Sequence, residues 1–247
     1  MGATKIEFRL RMFIMTVIIT LGFWAPWTGD WGAGHRIPLL FWSALQLSRK
    51  GLLSFAVAMP AVIALASLIA AVGMVLRVWG TAYLGYGTVH HAQMQAGAVV
   101  ADGPYRYIRN PLYVGGWFMV VATAFIMPPS GALFSVPLMT VFFLRLILGE
   151  EAFLAGQLGA PYRDYLRAVP RLFPHLLASL PPAGHKPHWF TSAISELNPI
   201  GVFFTLAVLS WSYEYRLMIQ GILVSFGASL VVRAILMRKK ESARESA

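Results

Sequence analysis

The chain has 247 residues, of which 57% are hydrophobic and only 12% charged, about half the charged share of a soluble domain. That composition leaves too little polar surface to cover a soluble globule and excludes disorder, so the bilayer is the solvent for much of the chain. The lack of cysteine excludes disulfides, thiolate metal sites and a cysteine nucleophile, and a net charge of +10 on residues flanking apolar runs points to anionic membrane lipids rather than nucleic acid.

A spanning helix needs about 20 mostly apolar residues, and six spans are predicted, giving an all-α, polytopic integral membrane protein. The first runs from Phe8 to Trp27; it lacks an A-x-A-like cleavage site and reads as a retained helix. Ile37 to Leu47 is apolar but too short to span, and is predicted to lie in the outer interface with Trp42 at head-group depth. The second span, Leu53 to Val78, is interrupted by Pro60. The third and fourth, Leu112 to Met127 and Ala132 to Leu148, are joined by the turn MPPSG; at about 16 to 18 residues each they form a hairpin that only just crosses. The Pro-rich stretch PPAGHKPH, Pro181 to His188, reads as a connecting loop on which His185 and His188 are solvated. The fifth and sixth spans are Ile200 to Tyr213 and Met218 to Met237, and the tail KKESARESA is expected to fray.

With the N-terminus in the cytoplasm, 16 of the 20 Lys and Arg fall inside and only Arg36, Arg49, Lys50 and Arg216 outside. The distribution therefore favours both termini in the cytoplasm, although Arg49 and Lys50 fall on the other side. Two polar, aromatic-rich segments, Gly80 to Pro111 and Glu150 to Pro174, then lie on the inner face. The chain divides into residues 1–76 (first spans and outer interfacial segment), 77–174 (polar segments and hairpin) and 175–247 (C-terminal loop and helices).

The most informative run is DGPYRYIRNPLYVGG, Asp102 to Gly116. Gly103-Pro104 makes a turn, and Tyr105, Arg106, Tyr107 and Arg109 follow. Asn110-Pro111 stops what precedes and starts the next helix. Tyr113 lies in its first turn, and Gly115-Gly116 permits close backbone approach. The helix start presents free N–H groups able to hold an anion such as a carboxylate. The competing reading of these residues is an ordinary interfacial belt of snorkelling Tyr and Arg.

The second run, GEEAFLAGQLGAPYRDYLRAVPRLFP, begins at Gly149 and ends at Pro174. Glu150 and Glu151 sit where an apolar span ends, a costly depth for carboxylates. The helix is expected to continue past the membrane, which would put Glu150, Leu154 and Leu158 on one face. A carboxylate there either serves a site, against an ammonium or a sulfonium, or forms a solvated acidic pair answering Arg163 and Arg167.

These two ordered motifs, flanking a helical hairpin over roughly Arg77 to Pro174, resemble the isoprenylcysteine carboxyl methyltransferase family and its bacterial and phospholipid-methyltransferase relatives. The resemblance implies a cytoplasmic-face pocket for S-adenosylmethionine. Tyr105, Asn110, Pro111 and Tyr113 would line it, Gly97, Val99 and Val100 would give backbone contacts, and Glu150 would match the carboxylate that contacts the cofactor. His90 lies nearby, and Arg145 is the nearest match to the arginine that holds a substrate carboxylate. The chain departs from the eukaryotic pattern in having Asn110 where His stands. It also departs in the spacing of Arg145, five residues before Glu150 and so about 140° around a helix from it.

The expected activity is methylation of a lipid or lipidated substrate, isoprenylcysteine carboxyl O-methylation first, with phospholipid N-methylation and thiol S-methylation open beside it. Further alternatives are a membrane lipid reductase and a non-enzymatic membrane module. A carboxylate acceptor needs no base, whereas an amine or thiol would draw on His90, His91 or Glu151. His90 and His91 also read as an interfacial polar pair, and no metal site is expected. The expected location is a bacterial inner membrane.

Overall fold

The structure, a computed structural model, describes residues 2–25, 37–85, 99–175, 180–181 and 183–245. His90, His91 and Gly97 lie outside the described residues. Ten α-helices and two 3₁₀ turns make up the regular structure of the described residues.

A capping box opens α1, Lys5–Arg9: the Thr4 hydroxyl accepts from the Glu7 N–H at 3.2 Å, and the Glu7 carboxylate accepts from the Thr4 N–H at 2.6 Å. One residue later α2, Arg11–Trp24, continues the line, with the Ile14 N–H on the Leu10 carbonyl. The predicted interfacial segment is a helix, α3, Leu39–Arg49. It is followed by α4, Phe55–Leu84, which carries Pro60 without breaking. A 3₁₀ turn at Gly103–Arg106 leads to α5, Pro111–Ala124, which starts on a proline as expected. The turn before α6, Pro129–Leu158, places Pro129 at its first position. Gly159 ends α6 at φ +66°, ψ −135°, a conformation that is nearly restricted to glycine, and α7, Ala160–Ala168, turns away from it. The C-terminal part holds α8, Trp189–Ser195, α9, Leu197–Ala207, a 3₁₀ turn at Leu209–Ser212, and α10, Tyr215–Glu245.

The chain is a polytopic helical membrane protein. Among the described residues three helices are long and apolar enough to cross a bilayer, over Phe55–Leu84, Pro129–Leu158 and Tyr215–Val232. A fourth crossing is made if α8 and the helix after it, bent by 70° at Glu196, act as one span. The first and third predicted spans are apolar helices of 14 residues, Arg11–Trp24 and Pro111–Ala124, about 21 Å long against a hydrocarbon core of about 30 Å. The predicted hairpin is therefore unequal: α5 is short, while α6 runs ten residues beyond Leu148. The tail is helical to Glu245 rather than frayed.

Two apolar clusters share α5 as a wall. One joins Leu40 and Ala44 of α3, Met59 and Ile63 of α4, Met119 and Ile126 around α5, and Val202 and Leu206 of α9. The other joins Phe8 and Ile18 to Val120, Met139, Phe142 and Leu146. Helices α4 and α5 meet backbone to backbone at Gly73 and Gly115, where a Cβ on either would come within 2.9 Å of the other's carbonyl oxygen. Small residues at such crossings are how apolar helices associate in a bilayer.

The bundle has two distinct ends. At one, the N–H groups of Leu39 and Leu40 bond to the carbonyls of Met127 and Phe125, so α3 caps the turn of the hairpin. At the other, the Ala3 N–H bonds to the Arg145 carbonyl, and the ends of α4 and α6 meet the start of α5. The polar motifs gather at this second end.

Candidate functional site

The two polar segments fold against each other through their backbones. The Arg109 N–H donates to the Pro170 carbonyl at 2.9 Å, and the His175 N–H to the Tyr107 carbonyl at 3.1 Å. The Asn110 amide, at the start of α5, donates to the Arg171 carbonyl at 3.3 Å and to Glu151 Oε1 at 3.0 Å. Glu151 is 5% exposed and is the knot of this end. Besides Asn110 it receives Arg171, through Nε at 3.0 Å and Nη2 at 2.9 Å, and Arg109 Nη1 at 3.6 Å. A buried carboxylate is tolerated only with this many partners. Glu151 of the acidic pair is thus answered by Arg109 and Arg171, whereas Arg167 pairs with Asp164 on the exposed side of α7. A carboxylate so held is poorly placed to serve as a base, in contrast to the base role open to Glu151 in the sequence.

Glu150 is different. It accepts the Tyr113 hydroxyl at 2.8 Å, and the Arg11 guanidinium acts on both from α2. Phe143 stands edge-on to the Tyr113 ring at 5.9 Å. Tyr113 and Glu150, expected in one site, do meet there. Pro111 occupies the first position of α5, and the Asn110 side chain makes no cap bond to its helix, so the first-turn N–H groups lack that partner.

Tyr105 is buried, and burial pushes its hydroxyl well above the usual range. Its carbonyl accepts the Tyr165 hydroxyl at 2.8 Å, and burial raises the Tyr162 and Tyr165 hydroxyls as well. Val99 packs with Tyr162, Tyr165 and Val169 of the second segment, and Val100 is half-buried beside it. Arg145 is engaged elsewhere: its Nη2 and Nε reach Glu7 of α1 at 2.9–3.2 Å. The bonds from Arg145 come first, with those from Thr4, in lowering the Glu7 carboxyl from 4.5 to about 2.

Sequence reasoning missed how the C-terminal segment ties onto this end. Buried Asp102 accepts the Ala183 N–H and the His185 N–H, each at 2.8 Å, and contacts His185 Nδ1 at 2.7 Å. Burial alone would raise its carboxyl, but the bonds from His185 and Ala183 hold it below the usual range. His185 is therefore a partner of Asp102 rather than a merely solvated residue, because the loop returns to the motif. The His188 N–H bonds to the Ala82 carbonyl, and Arg106 Nε to the Leu180 carbonyl. Glu196, fully buried, holds Arg77 and Thr81 of α4. The available signal was the scarcity of acids: 10 in the whole chain, of which Asp102, Glu151 and Glu196 each sit in an apolar setting.

Beside the motif an apolar cavity of about 490 Å³ is lined by Met74, Val75, Val78, Trp79, Trp189 and Ile200. Trp79 of its wall stacks obliquely on Tyr107, with ring centres 6.4 Å apart.

The molecule is therefore a helical membrane protein with a buried polar site where a short hairpin emerges at one end of the bundle. Comparison with known proteins agrees with the family read from the two motifs. Residues 61–160 match the phospholipid methyltransferase family. Over 78 residues the chain is 37% identical to the protein-S-isoprenylcysteine O-methyltransferase of Schizosaccharomyces pombe, covering 31% of this chain and 33% of that protein. Over 72 residues it is 39% identical to a methanethiol S-methyltransferase of Crocosphaera subtropica, covering 29% of this chain and 28% of that protein. The matches thus span about a third of the length of these curated relatives. No solved structure matches significantly.

Proposed function

We propose that the protein is an S-adenosylmethionine-dependent methyltransferase acting on a lipid or lipidated substrate, with its site at the cytoplasmic end of the α5–α6 hairpin. The observation that carries this reading is the meeting of Tyr113 and Glu150, 2.8 Å apart, within the segment matching the methyltransferase family. The orientation follows the excess of Lys and Arg assigned to the inner side.

The residues present fit the cofactor. The uncapped start of α5, with Asn110 and Pro111, suits a carboxylate. Glu150 supplies an anion suited to an ammonium group or to a sulfonium. The buried Tyr105 hydroxyl and Arg109 Nε lack hydrogen-bond partners among the described residues and are available to a ligand. Val99 enters on the same side through its contact with α7, with Val100 next to it in the chain. The cofactor supplies an electrophilic methyl group, so the protein's part is orientation and exclusion of water. Glu151, with Arg109 and Arg171, locks the two segments together; Tyr113 orients Glu150; Asn110 fixes the start of α5. The apolar cavity by Trp79 and Trp189 suits a hydrocarbon chain reaching the site from the bilayer.

For the acceptor we propose a carboxyl group first, as in isoprenylcysteine O-methylation. The likeness to a methanethiol S-methyltransferase and the engagement of Arg145 by Glu7 favour a thiol as the second reading. A free Arg145 would be the carboxylate's natural partner. His90 would be the base available to that second reading.

Radiolabelled S-adenosylmethionine should bind the detergent-purified protein. With a labelled methyl donor and a lipid extract, label should enter a lipid-soluble product. Alkali-labile label marks an ester, and volatile or stable label a thioether. Folded protein that neither binds the donor nor transfers label would overturn the assignment.

A further inference from the structure

The family match ends at residue 160, yet a carboxylate beyond it reaches back to the site. Glu196 sits at the bend between α8 and α9 and has no solvent exposure. It receives Arg77 in a two-pronged pair, Nε to Oε2 at 2.6 Å and Nη2 to Oε1 at 3.0 Å, and the Thr81 hydroxyl at 2.8 Å. Two parallel charge-assisted bonds fix the plane of a guanidinium as well as its position.

The third Arg77 nitrogen, Nη1, then points at α5. It lies 3.4 Å from the Leu112 carbonyl, next to Tyr113. The Arg77 stem lies against Gly115, where a Cβ would come within 2.8 Å of Arg77 Cγ, and Nη1 lies 3.6 Å from where a Gly116 Cβ would stand. Gly115 therefore makes the seat for this arginine, and Gly116 lies in ordinary contact range of its Nη1. Together these contacts run from Glu196 through Arg77 to the first turn of α5, and from Tyr113 to Glu150 on α6.

We infer that Glu196, acting through Arg77, is a positioning residue for the site: it sets the guanidinium that holds the first turn of α5, and thereby the Tyr113–Glu150 contact. The inference rests on the proposed methyltransferase reading for its kinetic consequence but not for its structural one. The C-terminal helices are then part of the working enzyme.

Glu196→Gln keeps the shape and the acceptor oxygen but removes the charge. Arg77→Lys keeps the charge but cannot hold Glu196 in two places and reach Leu112 as well. Each should raise the Kd for S-adenosylmethionine and lower kcat, by about tenfold and up to a hundredfold for a site displaced by about an ångström. Thr81→Val should have a smaller effect in the same direction. Ser192→Ala, which removes a bond from α8 to the Val78 carbonyl without touching Arg77, should leave both constants unchanged.

Amide hydrogen exchange across residues 111–116 supplies a readout independent of any ligand: protection should fall in Glu196→Gln and Arg77→Lys and hold in Ser192→Ala. A wild-type protein that binds no donor removes the methyltransferase reading, and exchange alone then decides the positioning role. Unchanged protection of α5 in both variants, or wild-type donor binding by folded Glu196→Gln, overturns the inference while leaving the function proposed above in place.

Discussion

The two ends of this bundle are held by different forces. At the hairpin-turn end, Leu40, Ala44, Ile63 and Leu206 interlock and the backbone supplies the polar bonds, from Leu39 and Leu40 to Met127 and Phe125. At the site end, Asp102, Glu151 and Glu196 are buried, and each accepts from two or more donors. The difference teaches where specificity is stored. An apolar end loses packing when one side chain is trimmed, whereas a charged end is left with a buried ion lacking its partner. The second loss is larger per atom and propagates through every residue that shared the ion.

The largest expected effect tests that contrast at its strongest point. Glu151→Ala strands Arg109 and Arg171 and frees Asn110, and should destabilise the protein by about 3–5 kcal/mol, the usual result of removing one member of a buried ion pair. Thermal unfolding in detergent reads this directly, and donor binding should vanish with it. A midpoint close to wild type would mean that Glu151 is not the knot described. At the other end, Leu206→Ala should cost about 2–4 kcal/mol as a cavity yet leave donor affinity unchanged. Loss of affinity there would erase the distinction between the ends.

Glu150→Ala and Tyr113→Phe sharpen the comparison within the site end. Neither should unfold the protein, since Glu150 is only partly buried and accepts the Tyr113 hydroxyl rather than a network of buried charges. Both should weaken S-adenosylmethionine binding, Glu150→Ala by about 1.5–3 kcal/mol as the loss of a charged hydrogen bond and Tyr113→Phe by less. Equal affinity in both folded variants, measured by equilibrium binding, would move the cofactor away from this pair.

Much of the fold was legible because its signals are local. Apolar runs marked the long helices, Asn110-Pro111 marked the start of α5, and MPPSG marked the hairpin turn. The run from Glu150 to Leu158 was read as helix beyond the membrane, and α6 does continue to Leu158. The 14-residue lengths of α2 and α5 were harder, because hydrophobicity does not say where a helix ends inside an apolar run. The site was half legible. The density of Tyr and Arg beside Pro and Gly drew attention to the run holding Tyr113, the depth of a carboxylate at the end of an apolar span drew it to Glu150, and the family resemblance put both in one pocket; their bond joins residues 37 apart. The returns of His185 to Asp102 and Glu196 to Arg77 join residues 83 and 119 apart, and no local pattern encodes such pairings. Arg145 shows the same limit: its position on α6 was clear, but its partner Glu7 lies 138 residues away.

That last pair offers the mildest way to probe the site end, because it lies at its edge. Glu7 is bound by Arg145 and by the Thr4 N–H, and these bonds bring its carboxyl from the ordinary 4.5 to about 2. A carboxyl lowered on folding contributes stability that is fully present above its unfolded value and fades as pH falls toward the folded one. The contribution should therefore be intact above about pH 4.5 and lost progressively toward about pH 2. Both partners are partly exposed, with side-chain exposures of 34% and 29%, so solvent and salt screen the pair and the effect should be small. Glu7→Gln should flatten the fall in unfolding midpoint across this window relative to wild type, while the two proteins converge at its acid end. Added salt should shrink the gap above pH 4.5. A wild-type and variant pair that track each other from neutral pH to the acid end would show that Glu7 does not anchor the N-terminal helix to α6. Arg145 would then be free to meet a substrate carboxylate, and the carboxyl-methylating reading would gain the cation it otherwise lacks.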